Sequence, residues 1–298
     1  MTLRYLTPWE CMMVHEHIEK MPVRRADSHK RDYGRVFVVA GSPGMTGAAF
    51  LCSQGALLSG SGLVTCGIPE SLNRIMETKL TEVMTLPLAE TGDGSLGLKA
   101  KEKILDFSKK CDVIAIGPGL GAGSQTRALV RDLIGSTEQP VVLDADGINA
   151  LEGELEPLRK RGYRTVITPH PGEMARLMGK DTGEVQSNRT DIAKSVAEVT
   201  GTVVCLKGHH TVVADPEGMI YVNETGNSGM ATGGTGDVLT GMIASFIGQG
   251  VDDFSAAVSA VYLHGLAGDI AAEKKGQFSM IASNVLECIS DAFNKAGI

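Results

Sequence analysis

Short, unbroken apolar runs recur along this chain, and most lead into a polar turn and then a helix-forming segment. Residues 36–40 (V-F-V-V-A) are the first such run, as expected for a strand buried on both faces of a sheet. Comparable runs occupy residues 63–68, 112–116, 140–143, 164–167 and 202–206. Residues 212–214 and 219–222 predict a hairpin across D-P-E-G. Helical patterning covers residues 48–58, 69–77, 98–107, 125–134, 191–199, 235–247, 254–272 and 281–295, and residues 10–20 read as one more. Roughly seven or eight strands alternating with helices predict a three-layer α/β/α fold with a mostly parallel central sheet and ligand loops gathered at one sheet edge. Residues 1–27 are charged and mixed in pattern and read as an N-terminal extension; residues 28–298 read as a single domain.

Composition narrows the partners. A hydrophobic share of 43% supports a sizeable core, and a net charge of −7 with 4% aromatic residues argues against a nucleic-acid surface. No uncharged apolar run approaches a membrane span, and the first residues lack the apolar centre of a signal peptide. The six cysteines, at 11, 52, 66, 111, 205 and 288, include no C-x-x-C pair and no zinc spacing. Cys52, Cys66, Cys111 and Cys205 sit in or beside apolar runs and are expected to be buried. The reading is a reduced, cytoplasmic protein with no nucleic-acid or membrane partner.

The chemistry concentrates in residues 223–250, N-E-T-G-N-S-G-M-A-T-G-G-T-G-D-V-L-T-G-M-I-A-S-F-I-G-Q-G. A glycine-rich loop runs straight into an apolar helix. Gly234, Thr235 and Gly236 would aim free backbone N–H groups at a ligand, which outlines an anion hole for phosphate. Asp237 lies in the first turn. It is either a general base for a hydroxyl attacking a phosphoryl group or an acid favoured by the helix dipole.

Other strand ends carry candidates. G-S-P-G-M-T-G (41–47) and G-P-G-L-G-A-G (117–123) follow buried strands, as phosphate-binding loops do. Asp144 and Asp146 end another strand; Asp144 reads as a helix cap, and Asp146 as cap or ligand contact. His170 is held between two prolines in T-P-H-P-G-E, with Glu173 in the first turn of the next helix. Lys207 beside Gly208 is a plausible phosphate contact. His209 and His210 have no metal-like partners nearby.

Taken together, G-S-P-G-M-T-G-A-A, I-G-P-G-L-G, L-D-A-D-G-I-N, T-P-H-P-G-E, L-K-G-H-H-T and N-S-G-M-A-T-G-G-T-G-D-V-L-T-G resemble the ADP/ATP-dependent NAD(P)HX dehydratases, metabolite-repair enzymes of the ribokinase-like fold. The resemblance runs from about Ser28 to the C-terminus. It implies removal of water from hydrated NADH or NADPH (NADHX, NADPHX) at the expense of ADP or ATP. Hydroxide leaves poorly, so the ring hydroxyl is phosphorylated first, with Asp237 taking its proton and the N–H groups of Gly234 to Gly236 stabilising the transferring group. The helix N-terminus would keep Asp237 ionised. The resemblance implies substrate contacts at Ala48, Gly119, His170 and Asp237, and nucleotide contacts at Lys207, Gly208, His209, His210, Thr211 and Gly236. It also implies Mg2+ held by phosphates and water, ADP as donor, and a homotetramer. Many members are fused to an epimerase; residues before Ser28 leave no room for one, so a separate epimerase is the expected partner. Lys30 is followed by Arg31 where the family often has glycine, which puts the local turn in doubt.

Two rival readings remain at this stage. A small-molecule kinase of the same fold would use the same G-T-G-D site on a hydroxylated heterocycle and accumulate a phosphorylated product. A nucleotide-binding sensor would bind without turnover.

Overall fold

The structure is a computed structural model and describes residues 14–298. Nine strands form one sheet in the order β3-β2-β1-β4-β5-β6-β7-β8-β9. They are β1 Arg35–Val39, β2 Leu63–Pro69, β3 Met84–Leu88, β4 Val113–Ile116, β5 Val141–Leu143, β6 Thr165–Ile167, β7 Val203–Leu206, β8 Val212–Ala214 and β9 Ile220–Val222. β1 to β7 pair in parallel, and the predicted hairpin β8–β9 adds the antiparallel edge.

Alternate residues of β1 explain its unbroken apolar run. Val36 and Val38 pack into the core layer on one face, Phe37 and Val39 into the layer on the other, and all four are fully or almost fully buried. Helices therefore cover both faces, as parallel sheets require. Strand order reverses between β1 and β4. The helices after those two strands cover opposite faces of the sheet, and such a switch point is where open α/β sheets take ligands, at the carboxyl edge.

The first layer is built on one close helix crossing, between Thr46–Leu58 and Thr235–Gly248. A Cβ on Gly241 would lie 2.0 Å from the Cys52 carbonyl oxygen, and one on Gly55 would lie 2.6 Å from that of Val238. Only glycine permits this contact, and it brings the two glycine-loop helices side by side.

Several expectations needed correction. β3 was not anticipated: it is a sheet-edge strand that contains Pro87 and shows no apolar run. The helix expected over residues 281–295 is two, Ala282–Glu287 and Ile289–Ala296, divided at Cys288. Part of the helix expected over residues 10–20 lies outside the described residues; 14–18 are helical. His17 Nδ1 lies 2.9 Å from Ser255 Oγ, and Lys20 donates to Asp252 at 2.9 Å, tying this segment to the start of the Asp253–Lys275 helix. The turn after Lys30 is a 3-10 helix, Lys30–Tyr33. Cys52, Cys66 and Cys205 are buried, whereas Cys111 is only partly so. One described helix, Asp253–Lys275, is long and apolar enough to cross a membrane, but 89% of its most apolar window is buried inside the protein, so it is a core helix.

Candidate active site

The Thr235–Gly248 helix begins at Gly234, whose φ of 97° lies in the left-handed region that favours glycine. Gly236 and Asp237 occupy its first turn. The ammonium of Lys207, delivered by the end of β7, packs against Gly236: a Cβ there would sit 3.2 Å from Nζ. The anion hole predicted at Gly234, Thr235 and Gly236 therefore has a cation beside it.

Behind the ammonium stands a carboxylate that does not cap a helix, contrary to expectation. Asp144 is 1% exposed and accepts from Lys207 Nζ at 2.6 Å and from Thr240 Oγ1 at 2.7 Å. The short helix that follows, Asp146–Asn149, has Ala145 at its cap with no side-chain bond. Glu173 Oε2 lies 3.9 Å from the same ammonium. Burial disfavours charge on Lys207, but Asp144 and Glu173 outweigh it and hold its pKa above the ordinary lysine value.

Asp237 departs most from the sequence reading. Burial, then the negative charge of Asp144, pushes its carboxyl up to about 7, with Lys207 pulling the other way. The ionised acid expected at the helix N-terminus is thus disfavoured by burial and like charge, and a carboxyl near 7 can both accept and release a proton near neutrality.

Two of the substrate residues suggested by the resemblance, Ala48 and Gly119, meet beyond the ends of β1 and β4. A Cβ on Gly119 would come within 3.0 Å of Ala48 Cβ, so the loops after β1 and β4 touch there. Ser42 Oγ donates to the Gly119 carbonyl at 2.8 Å, and the Gly121 N–H donates to Asp146 at 2.8 Å. Cys52, one helical turn after Ala48, feels the charge of Asp237 and then Asp144 on top of its burial. His170 caps the Pro171–Met178 helix: Nδ1 accepts from the Gly172 and Glu173 N–H groups at 3.0 and 3.3 Å. Burial, Lys207 and Arg176 lower its pKa, which fits a neutral ring with Nε2 facing Glu173 at 3.3 Å.

A cavity of about 600 Å³ lies at the helix N-terminus. Lys207, Gly208, His209, His210, Thr211 and Gly236 all line it, as do Thr235 and His264. Its loop is strained and braced. His210 has a left-handed φ of 54°, and Arg189 donates to the Leu206 carbonyl at 2.9 Å and to the His209 carbonyl. The guanidinium leaves only 3.1 Å for a Cβ on Gly208. A second cavity, about 550 Å³ between Arg164 and Asp215, contains none of the predicted site residues.

Asp144 as counter-ion, Thr240, Arg189 and His264 are the residues that sequence reasoning missed or misread; Glu173 lies in the first helical turn as expected, and its nearness to Lys207 adds to that reading. The L-D-A-D motif did flag Asp144, but its partner lies 63 residues away. Among the described residues no cluster of three or more His, Cys, Asp or Glu is arranged to hold a metal ion.

Residues 36–291 match the family model described as NAD(P)H-hydrate dehydratase. The chain belongs to that family. Among NAD(P)H-hydrate dehydratase relatives, the ADP-dependent (S)-NAD(P)H-hydrate dehydratase of Neisseria meningitidis serogroup B is 40% identical over 262 residues, 85% of this chain and 82% of its own length. A bifunctional NAD(P)H-hydrate repair enzyme of Moorella thermoacetica is 46% identical over 268 residues, 90% of this chain but 51% of its own length. The chain thus spans about half the length of the bifunctional relatives it matches. The crystal structure of the ADP/ATP-dependent NAD(P)H-hydrate dehydratase of Bacillus subtilis, co-crystallised with ATP and Mg2+, superposes with a TM-score of 0.81 at 32% identity, covering 99% of this chain and 100% of that one. The nine-stranded sheet with helices on both faces is the ribokinase-like fold.

Proposed function

We propose that this chain dehydrates the S form of hydrated NADH or NADPH, using ADP or ATP as phosphate donor. The observation that carries the reading is the position of Asp237. It follows Gly236, which lines the Lys207–Thr211 cavity, in the first turn of the helix, and its half-buried carboxyl is pushed up to about 7. A base poised near neutrality can take a proton from the ring hydroxyl as that oxygen attacks the terminal phosphoryl group. The N–H groups of Gly234 to Gly236 and the Lys207 ammonium stabilise the charge on the transferring group. The shortened nucleotide departs, the ring nitrogen's lone pair expels inorganic phosphate, and loss of the adjacent ring proton restores the dihydronicotinamide. Ala48, Gly119 and His170 bound the substrate; Lys207 to Thr211 and Gly236 hold the nucleotide.

Magnesium fits as an ion carried by the phosphates. The described residues offer no cage, and Asp144 is committed to Lys207 and Thr240. It would neutralise phosphate charge. The proposal also includes a cytoplasmic setting, supported by buried cysteines with no disulfide among the described residues, a separate epimerase supplying the S form, and a homotetramer, checked by sedimentation. Residues 1–27 are read as an N-terminal extension, whose described part docks on the domain through the His17 and Lys20 contacts.

The test is absorbance at about 340 nm, the band of reduced nicotinamide, with hydrated NADH, magnesium and each nucleotide. Absorbance that grows only with nucleotide supports the reading, and the faster nucleotide is the donor. A stable phosphorylated product without absorbance would favour the kinase.

A further inference from the structure

The carboxyl edge of the sheet is acidic for a site read to take an anionic substrate. Hydrated NADH carries a pyrophosphate, and hydrated NADPH a further 2′-phosphate. Asp144 and Asp146 follow β5, Glu173 follows β6, and Asp237 opens the Thr235–Gly248 helix. Most basic residues around this edge are already committed. Lys207 pairs with Asp144, Arg127 with Glu152 and Arg131 with Glu154, at 2.6, 3.1 and 3.1 Å, and Arg189 serves two carbonyls.

Arg176 differs. It is exposed, makes no ion pair among the described residues, and donates there only through Nε, to Asn149 Oδ1 at 2.9 Å. That bond ends a chain of hydrogen bonds. Asn149 Nδ2 reaches Asp146 Oδ1 at 3.4 Å, and Asp146 Oδ2 accepts from the Gly121 N–H at 2.8 Å. The guanidinium is thus tied to the loop that holds Gly119, while the N–H groups of its two terminal nitrogens stay free.

The side chain leans one turn back along the Pro171–Met178 helix, as helical side chains do. A Cβ on Gly172 would lie 3.8 Å from Arg176 Nη1 and 2.9 Å from the His170 ring, so the two groups stand side by side there. The helix dipole favours a cation in a last turn, but it does not account for a guanidinium held by Asn149 with its fork unused. A planar fork steadied at one edge is suited to a pair of phosphate oxygens. We propose that Arg176 binds a phosphate of the hydrated dinucleotide and sets how tightly the two hydrates are held. That phosphate is either the pyrophosphate common to both or the 2′-phosphate of the NADPH form. The inference rests on the dehydratase reading.

Steady-state kinetics of the wild-type chain and Arg176→Gln test it, with hydrated NADH, hydrated NADPH and ADP varied in turn. Losing charged hydrogen bonds should raise the hydrate KM about tenfold or more, with kcat and the ADP KM within about twofold of wild type. A rise for hydrated NADPH alone identifies the 2′-phosphate; a rise for both hydrates identifies the pyrophosphate. Added salt should raise the wild-type KM more than that of the variant. Arg176→Lys keeps the charge without the fork and should fall between the two; it takes the place of the glutamine variant should that not fold. A hydrate KM unchanged in the variant overturns the inference. So does an equal loss in kcat or in the ADP KM, which would mark a general disturbance of the loops that Asp146 holds. Wild-type protein that turns over neither hydrate removes the dehydratase reading itself.

Discussion

Replacing Asp237 with asparagine removes a carboxyl whose ordinary value is 3.8 and whose value here is about 7. That gap corresponds to about 4 kcal/mol of disfavoured ionisation, at ~1.36 kcal/mol per pH unit. In the unfolded chain the group ionises above about pH 4; in the folded chain it keeps its proton to near 7. The native state therefore holds the extra proton across this window, and its stability falls as pH rises through it. Asparagine carries no such proton. The stability advantage of Asp237→Asn should grow by about 2 kcal/mol between pH 5 and pH 7, then level off. For a chain of this size that is roughly 4–8 °C of Tm. Scanning calorimetry of both proteins without nucleotide, at pH 5, 6, 7 and 8, measures it. The same variant should lose turnover by about 10²–10⁴-fold, the usual contribution of a general base, with ADP affinity little changed. Wild-type turnover should rise through pH 7 as the carboxyl ionises. A Tm gap that is constant from pH 5 to pH 8 would refute the reasoning, because Asp237 would then be ionised throughout.

Lys207→Met leaves Asp144 buried with Thr240 as its remaining side-chain partner. It should cost about 3–5 kcal/mol of stability and raise the nucleotide KM, and the acid limb of turnover should move to higher pH because Lys207 lowers the Asp237 value. An unchanged nucleotide KM would remove Lys207 from the site. Arg189→Lys loses the fork onto the Leu206 and His209 carbonyls; we expect the nucleotide KM to rise about tenfold, in line with losing a charged hydrogen bond, with kcat held, and steady-state kinetics check the split. Gly241→Ala would drive a methyl into the Cys52 carbonyl 2.0 Å away. Urea unfolding should show a loss of about 3 kcal/mol, the upper range for overpacking, with activity reduced because Ala48 and Asp237 ride on the two separated helices.

What the sequence made legible was local. The run of Val36 to Ala40, the turns that follow strands and the glycine loop ahead of Asp237 each write their structure into neighbouring residues. The hairpin β8–β9 and the parallel order followed from the same signals. What stayed hidden depends on residues far apart in the chain. Asp144 looked like a cap because its partners, Lys207 and Thr240, arrive from β7 and from a later helix. Asp237 looked like a plain carboxylate because neither its burial nor Asp144 is visible from its neighbours. Gly55 and Gly241 sit inside helical patterning without any signal of the close crossing that they permit. β3 carries no apolar run because it lies at the sheet edge, and His264 sat unnoticed in an apolar helix.

The most direct test of the account follows one oxygen atom. Hydrated NADH prepared in 18O-water carries the label on the ring hydroxyl. A single turnover with ADP, magnesium and this chain, followed by mass analysis of the products, reports where that oxygen goes. Phosphorylation before elimination places the label in inorganic phosphate. Label released as water, with nucleotide cleaved in parallel, would contradict the central claim.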